Sequence, residues 1–321
     1  CTPCTGETFS TMVNAPTCSP WRTCGNGMEA APGSSTMDRT CRVAGWLRQF
    51  GGANHTETYA VATNANADVF FAGTVLVDLP GQTGLGNSDM FLRKYDSGGN
   101  LVWTRQFGTE EEDIGVAVAT DTNGHIIVVG YTSGSLPGFT NPSPLLNWDV
   151  AVFAFDADGT PLWGHQLGGV ESDLGLAVTT DADDNVFVSG STWGALPGHT
   201  HAGRLDAYVA KLDADGVSQW TRQLGGPADE WTGAITTNAA GSVFITGKTF
   251  GALPGQTSFG QTDMFLLQYD ADGNLIWSNN VGTASWEEAA GIAADAAGNL
   301  YLAGLTDRGD SGFVTHALVE K

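Results

Sequence analysis

Positive charge is scarce in this chain: 13 Lys and Arg stand against 35 Asp and Glu over 321 residues, a formal net charge of −22. Nucleic acid needs a basic surface for its phosphates, so it is excluded as a partner, and an anionic membrane face is disfavoured in the same way. No run approaches the roughly 18 apolar residues of a membrane-crossing helix, so membrane insertion is not expected. Sustained helical periodicity is missing too, which excludes a parallel sheet with crossover helices. Cysteine is absent beyond residue 41. The chain also lacks Gly-x-Ser-x-Gly, a phosphate loop and His-Glu-x-x-His, and its six histidines do not recur in register.

What is present is one pattern written five times. A tryptophan opens each copy, at Trp46, Trp103, Trp163, Trp220 and Trp277, with spacings of 57, 60, 57 and 57 residues. In the third copy, short apolar or alternating segments at 161–167, 174–180, 185–190 and 206–212 read as four strands. Asp96-Ser-Gly-Gly99, Asp156-Ala-Asp-Gly159, Asp213-Ala-Asp-Gly216 and Asp270-Ala-Asp-Gly273 supply tight turns with an acceptor at the first position and a glycine where φ turns positive. Asp121, Asp181, Asn238 and Asp295 head a second set. Hairpin-linked groups of four strands, repeated radially, predict an all-β fold of propeller type.

The order Leu-x-Trp, Gly-Gly, an acid before Gly-x-Ala-Val, Asn-Val-Phe-Val-x-Gly and Asp-Ala-Tyr-Val-Ala-Lys-Leu-Asp-Ala-Asp-Gly resembles the bacterial SBBP β-propeller repeat over residues 43–321. Small residues in Val116–Thr120 and Leu176–Thr180 suit the crowded axis, so this strand is expected innermost and the Trp strand outermost. On that phase residues 57–107, 114–167, 174–224 and 231–281 make four blades, and the fifth has strands near 289–294, 299–304 and 314–320. Its missing strand would come from 45–50, closing a five-bladed ring without a free edge.

The five cysteines predict a separate module at residues 1–42 in an oxidising compartment. Cys1-Thr-Pro-Cys4, Cys18-Ser-Pro-Trp-Arg-Thr-Cys24 and Cys41 resemble a cysteine-rich repeat of the tumour necrosis factor receptor kind. That resemblance implies Cys4–Cys18 and Cys24–Cys41 bridges and a stalk, and it leaves Cys1 to an upstream module, another chain or a lipid. The chain opens on cysteine, so a mature or trimmed form is expected.

Leu79-Pro-Gly81, Leu136-Pro-Gly138, Leu196-Pro-Gly198 and Leu253-Pro-Gly255 precede the last-but-one strand of four blades. They read first as plugs between blades and second as a variable recognition surface. An acid stands five positions before the central Val or Ile of the inner strand, as Asp113, Asp173, Glu230 and Glu287, with Thr56 and then Glu57 in the first blade. Converging on one mouth, the four would hold a cation such as Ca²⁺. The plainer reading, which we favour, is solvated turn acids. Symmetric repetition argues against the two dissimilar carboxyls that a glycosidase needs, so no catalytic residue and no other cofactor is expected.

The expectation is therefore a non-catalytic extracellular or cell-surface protein, a propeller head on a cysteine-rich stalk, acting in adhesion or as a subunit of a surface assembly with other protein subunits or a cell-surface ligand as partners. The alternative is a carbohydrate-binding propeller, with Trp148, Trp193, Phe250 and Trp286 as sugar-stacking platforms.

Overall fold

The computed structural model describes residues 8–9, 19–20, 28–30, 41–43, 46–51, 55–143, 147–295, 297–307 and 315–320. The chain divides into two compact units, Cys1–Gln49 and Phe50–Lys321, a step later than the expected boundary at residue 43. In the first unit β1 (Thr8–Phe9) pairs with β2 (Ser19–Pro20), and β3 (Met28–Ala30) with β4 (Cys41–Val43). Cys1, Cys4, Cys18 and Cys24 lie outside the described residues, and the expected bridges with them.

The second unit is built of consecutive antiparallel meanders, which are propeller-like blades. β5 (Thr56–Thr63), β6 (Val69–Val75), β7 (Asp89–Tyr95) and β8 (Leu101–Phe107) form the first. β9 (Asp113–Thr120), β10 (Ile126–Thr132), β11 (Asp149–Phe155) and β12 (Pro161–Leu167) form the second. The third has β13 (Asp173–Thr180), β14 (Val186–Thr192), β15 (Asp206–Leu212) and β16 (Ser218–Leu224). The fourth has β17 (Glu230–Thr237), β18 (Val243–Thr249), β19 (Asp263–Tyr269) and β20 (Leu275–Val281). The fifth has three strands among the described residues, β21 (Trp286–Ala294), β22 (Leu300–Asp307) and β23 (Thr315–Glu320).

First strands of successive sheets lie against one another, β5 on β9, β9 on β13, β13 on β17 and β17 on β21, as the small-residue argument anticipates. Burial follows position in the blade. All seven residues of β14 are buried, because its two faces meet neighbouring sheets, whereas the fourth strands begin exposed. This is why the second and third strands read as near-continuous apolar runs.

Of the closing strand expected at 45–50, the described residues 46–50 lie outside any strand. Phe50 is taken up by the first blade instead. Its ring meets Phe91 edge-on at 5.6 Å, and the Arg93 guanidinium lies 4.1 Å from its centroid, so burial on that blade competes with sheet pairing.

Candidate functional site

Each junction between successive blades is held by a carboxyl clasp that grows out of the repeat. The Leu-Pro-Gly segments are plugs: Leu79, Leu136, Leu196 and Leu253 are at most 2% exposed. Leu136 packs with Phe70 of the first blade and Ala151 of the second, and Leu253 with Phe187 and Phe265. A fourth-strand glutamine ties down the plug in each of the first three blades. Gln106, Gln166 and Gln223 accept the backbone N–H of Leu79, Leu136 and Leu196 at 2.8, 2.8 and 2.9 Å. The same side chains donate through Nε2 to Asp89, Asp149 and Asp206 at 2.8, 2.7 and 2.8 Å. In the fourth blade Asn280 stands in the glutamine's place and donates to Gly251 O at 3.1 Å, while Asp263 accepts the Phe259 N–H at 2.9 Å.

The first-strand acids Asp113, Asp173, Glu230 and Glu287 complete the clasp from the next blade. They are 0–1% exposed, so the favoured reading as solvated turn acids is overturned. Each accepts a backbone N–H four residues earlier, from Thr109, Gly169, Gly226 and Thr283 at 2.6, 2.7, 2.9 and 2.9 Å. Their own backbone N–H groups cross to the preceding blade, to Ser88, Trp148, Leu205 and Thr262 O at 3.0, 2.6, 2.8 and 3.1 Å. That backbone bridge draws the side chain inward.

One acid sits at each junction, and among the described residues no group of three or more His, Cys, Asp or Glu is placed to hold a metal ion. Each acid is instead paired with the third-strand Asp. Around the point where a Cβ on Gly225 would stand, carboxylate oxygens of Asp206 and Glu230 both lie within 3.0 Å, and Asp263 and Glu287 meet in the same way at Gly282. The Oδ1 atoms of Asp113, Asp149, Asp173, Asp206 and Asp263 are buried and have no hydrogen-bond partner among the described residues. Burial pushes Asp113, Asp149 and Asp173 up to about 6, with the negative charges of Asp89, Asp173 and Glu171 adding to it in turn. Burial, then Asp206 and Asp229, pushes Glu230 up to about 7.

Just outside this layer the first three blades open a cleft of about 620 Å³. Its rim takes Trp148 from the residue before β11 and Trp193 from the residue after β14. Both are fixed by the junction chemistry: Trp148 O accepts Asp173 N–H, and Trp193 N–H donates to Ser172 O at 2.9 Å. Tyr131 stands edge-on to Trp148 with centroids 5.0 Å apart, and Trp193 edge-on to Trp231 at 5.6 Å. Glu57, Glu112 and Glu171 line the cleft with the exposed Tyr59, whose hydroxyl donates to Glu57. His55 Nε2 is 2.6 Å from Glu57 Oε1.

Of the four aromatics singled out from sequence, the structure brings Trp148 and Trp193 together here. Phe250 and Trp286 lie outside the lining: Phe250 is exposed on the fourth blade, and Trp286 stands with Lys248 Nζ 5.9 Å from its ring. Sequence reading missed the glutamines and, of the cleft carboxylates, Glu112 and Glu171. The glutamines carried a signal, recurring three residues after Trp103, Trp163 and Trp220. The cleft residues depart from the repeat, Trp148 standing where other copies have Ser88, Leu205 and Thr262.

Against known proteins, residues 102–137 match the family model SBBP, described as a beta-propeller repeat. The chain is 27% identical over 271 residues to the regulatory protein FlaEY of Caulobacter vibrioides, covering 75% of this chain and 28% of that one. It is 22% identical over 238 residues to an uncharacterized WD repeat-containing protein of Acanthamoeba polyphaga mimivirus, covering 59% and 17%. The chain thus spans less than a third of either relative, at 28% and 17% of their lengths. Among solved structures, hydrazine synthase of Kuenenia stuttgartiensis is similar with a TM-score of 0.47 and 12% identity, covering 81% of this chain and 80% of that one.

Proposed function

We propose that this protein is a non-catalytic, carbohydrate-binding β-propeller of the cell surface or the extracellular medium, its five repeats forming five blades and its cysteine-rich segment, with Cys4, Cys18, Cys24 and Cys41 bridged, serving as a stalk. The observation that carries the reading is the cleft on the first three blades, where Trp148, Trp193, Tyr59 and Tyr131 stand beside the carboxylates Glu57, Glu112 and Glu171. Aromatic faces take the apolar C–H face of a pyranose, and carboxylates accept its hydroxyl groups, which is the mixture of flat apolar surface and few convergent polar groups that a small-molecule site needs. Adhesion or surface assembly is the role such a head would serve, with other protein subunits as further partners.

A catalytic reading would need two carboxyls of different character across a scissile bond. The raised carboxyls are sealed in the junctions at 0–1% exposure, away from solvent and substrate, which supports binding without turnover. A glycan array of neutral, amino and acidic oligosaccharides tests the proposal. The expected result is saturable binding to one sugar class that Trp193→Ala and Trp148→Ala each weaken about tenfold or more, without release of reducing ends. Absence of binding to any sugar, or binding untouched by both substitutions in folded protein, overturns it.

A further inference from the structure

The cleft's charge follows from where the cations of this chain are placed. Glu112, on the residue before β9, has its counterpart in the fourth blade in Asp229, and there Arg204 Nε approaches Asp229 Oδ1 at 3.7 Å. Glu57, the second residue of β5, has its counterpart in the fifth blade in Glu288, where Lys248 Nζ stands 3.1 Å from the carboxylate. Outside the cleft, then, acids at these two register positions meet a cation of the chain. Inside it they do not: no Lys or Arg is among the described residues lining the cleft, and Glu112 and Glu171 are both exposed. Glu57 alone is met, by His55.

Three glutamates from three consecutive blades thus surround one aromatic-lined space of about 620 Å³, on a chain of net charge −22. Carboxylates that share one space without a Lys or Arg beside them lower the affinity for any anion and raise it for a cation, the more so where low-dielectric walls focus the field. The rings work in the same direction, because the faces of Trp148, Trp193 and Tyr131 carry the negative end of the aromatic quadrupole. Sialic and uronic acids are thereby disfavoured, since a sugar carboxylate would find no Lys or Arg in the lining and would meet the unmatched carboxylates of Glu112 and Glu171.

We propose that the cleft selects an amino sugar with a free, protonated amine, the ammonium group lying between Glu112 and Glu171 while the pyranose face rests on Trp148 or Trp193. This rests on the carbohydrate reading and narrows it to one class. The ammonium offers three donors to carboxylate acceptors, and the bonds are charge-assisted on both sides. N-acetylation removes the charge and adds bulk without giving the carboxylates anything to neutralise.

The test compares three oligosaccharides of equal length: a β-1,4-linked glucosamine oligomer, its fully N-acetylated form, and an oligoglucuronate. Titration calorimetry is run at low and at physiological salt on the parent chain and on the double variant Glu112→Gln with Glu171→Gln. Both positions are exposed, so the variant is expected to melt as the parent does. The expected result is that the free amine binds about tenfold tighter than the acetylated form, that the advantage shrinks as salt rises, and that the double variant loses the advantage while retaining residual binding to both. Equal or tighter binding of the acetylated oligomer overturns the amine selection but leaves the carbohydrate reading standing. Preference for the glucuronate overturns the charge argument. Unchanged preference in the double variant overturns the role given to Glu112 and Glu171, and binding of none of the three, together with an empty glycan array, overturns the carbohydrate reading itself.

Discussion

A Cβ on Gly190 would overlap the carbonyl oxygen of Leu174, and the same collision recurs at Gly73 with Glu57, Gly130 with Ile114, Gly247 with Trp231 and Gly304 with Glu288. The cause is a bulge: each first strand slips register against its second strand at this level, as between Gly175 and Ala177, and its carbonyl is pushed onto the neighbour. The neighbour must therefore be glycine. Because the obstacle is backbone rather than a flexible side chain, Gly190→Ala is expected to cost about 3 kcal/mol, read as a lower urea midpoint at unchanged slope. The buried carboxyls set a second expectation. Free in an unfolded chain, such groups titrate near 4, roughly. Folded, Asp113, Asp149 and Asp173 stand at about 6 and Glu230 at about 7. The folded state holds protons that the unfolded state has already lost, so stability falls as pH rises from about 4 to about 7, by on the order of 2 kcal/mol per carboxyl. Thermal unfolding is expected at a higher temperature near pH 5.5, roughly, than near pH 8. Asp149→Asn keeps an acceptor for Gln166 and removes one charge, so it is expected to raise the midpoint at about pH 8 and to flatten the pH dependence.

At the scale of the element, the Leu-Pro-Gly segment is a rivet whose leucine is buried between sheets. Leu196 packs with Val152 of the second blade and Val188 of the third, so Leu196→Ala is expected to cost roughly 3 kcal/mol by chemical denaturation. Leu101→Ala on an exposed strand start should change the same measurement by about 0.5 kcal/mol or less. The order of strands within a blade was legible because two local signals agree: turn residues mark the ends, and small residues in the first strand mark the axis. The third-strand run Asp89–Tyr95 is buried on both faces except at Lys94, as its apolar character implies. The acids were misread because an aspartate at a strand start beside glycines looks like a turn residue. Its burial comes from Asp113 N–H reaching Ser88 O, two residues on different repeats, and no local period encodes that contact. Residues 46–50 repeat the letters of a fourth strand, Trp46-Leu-Arg-Gln-Phe50 against Trp103-Thr-Arg-Gln-Phe107, yet a strand exists only where an edge accepts it. Phe50 found the first blade instead.

Across the whole molecule, repetition builds a scaffold, and departures from repetition build the site. The clasps of Asp, Gln and Leu-Pro-Gly recur from junction to junction and hold neighbouring sheets in fixed relation. On that frame, Trp148, Trp193, Tyr59 and Tyr131 appear where other copies carry different residues, and all four face one cleft. Hydrogen–deuterium exchange with and without the glucosamine oligomer tests this account most directly, because it reads where a ligand sits without altering the chain. The account expects protection gathered at 112–114, 147–148, 171–174 and 193, with a second cleft around His199, Lys211 and Arg222 unchanged. Binding accompanied by protection centred on that second cleft, or spread evenly over all five sheets, would contradict it.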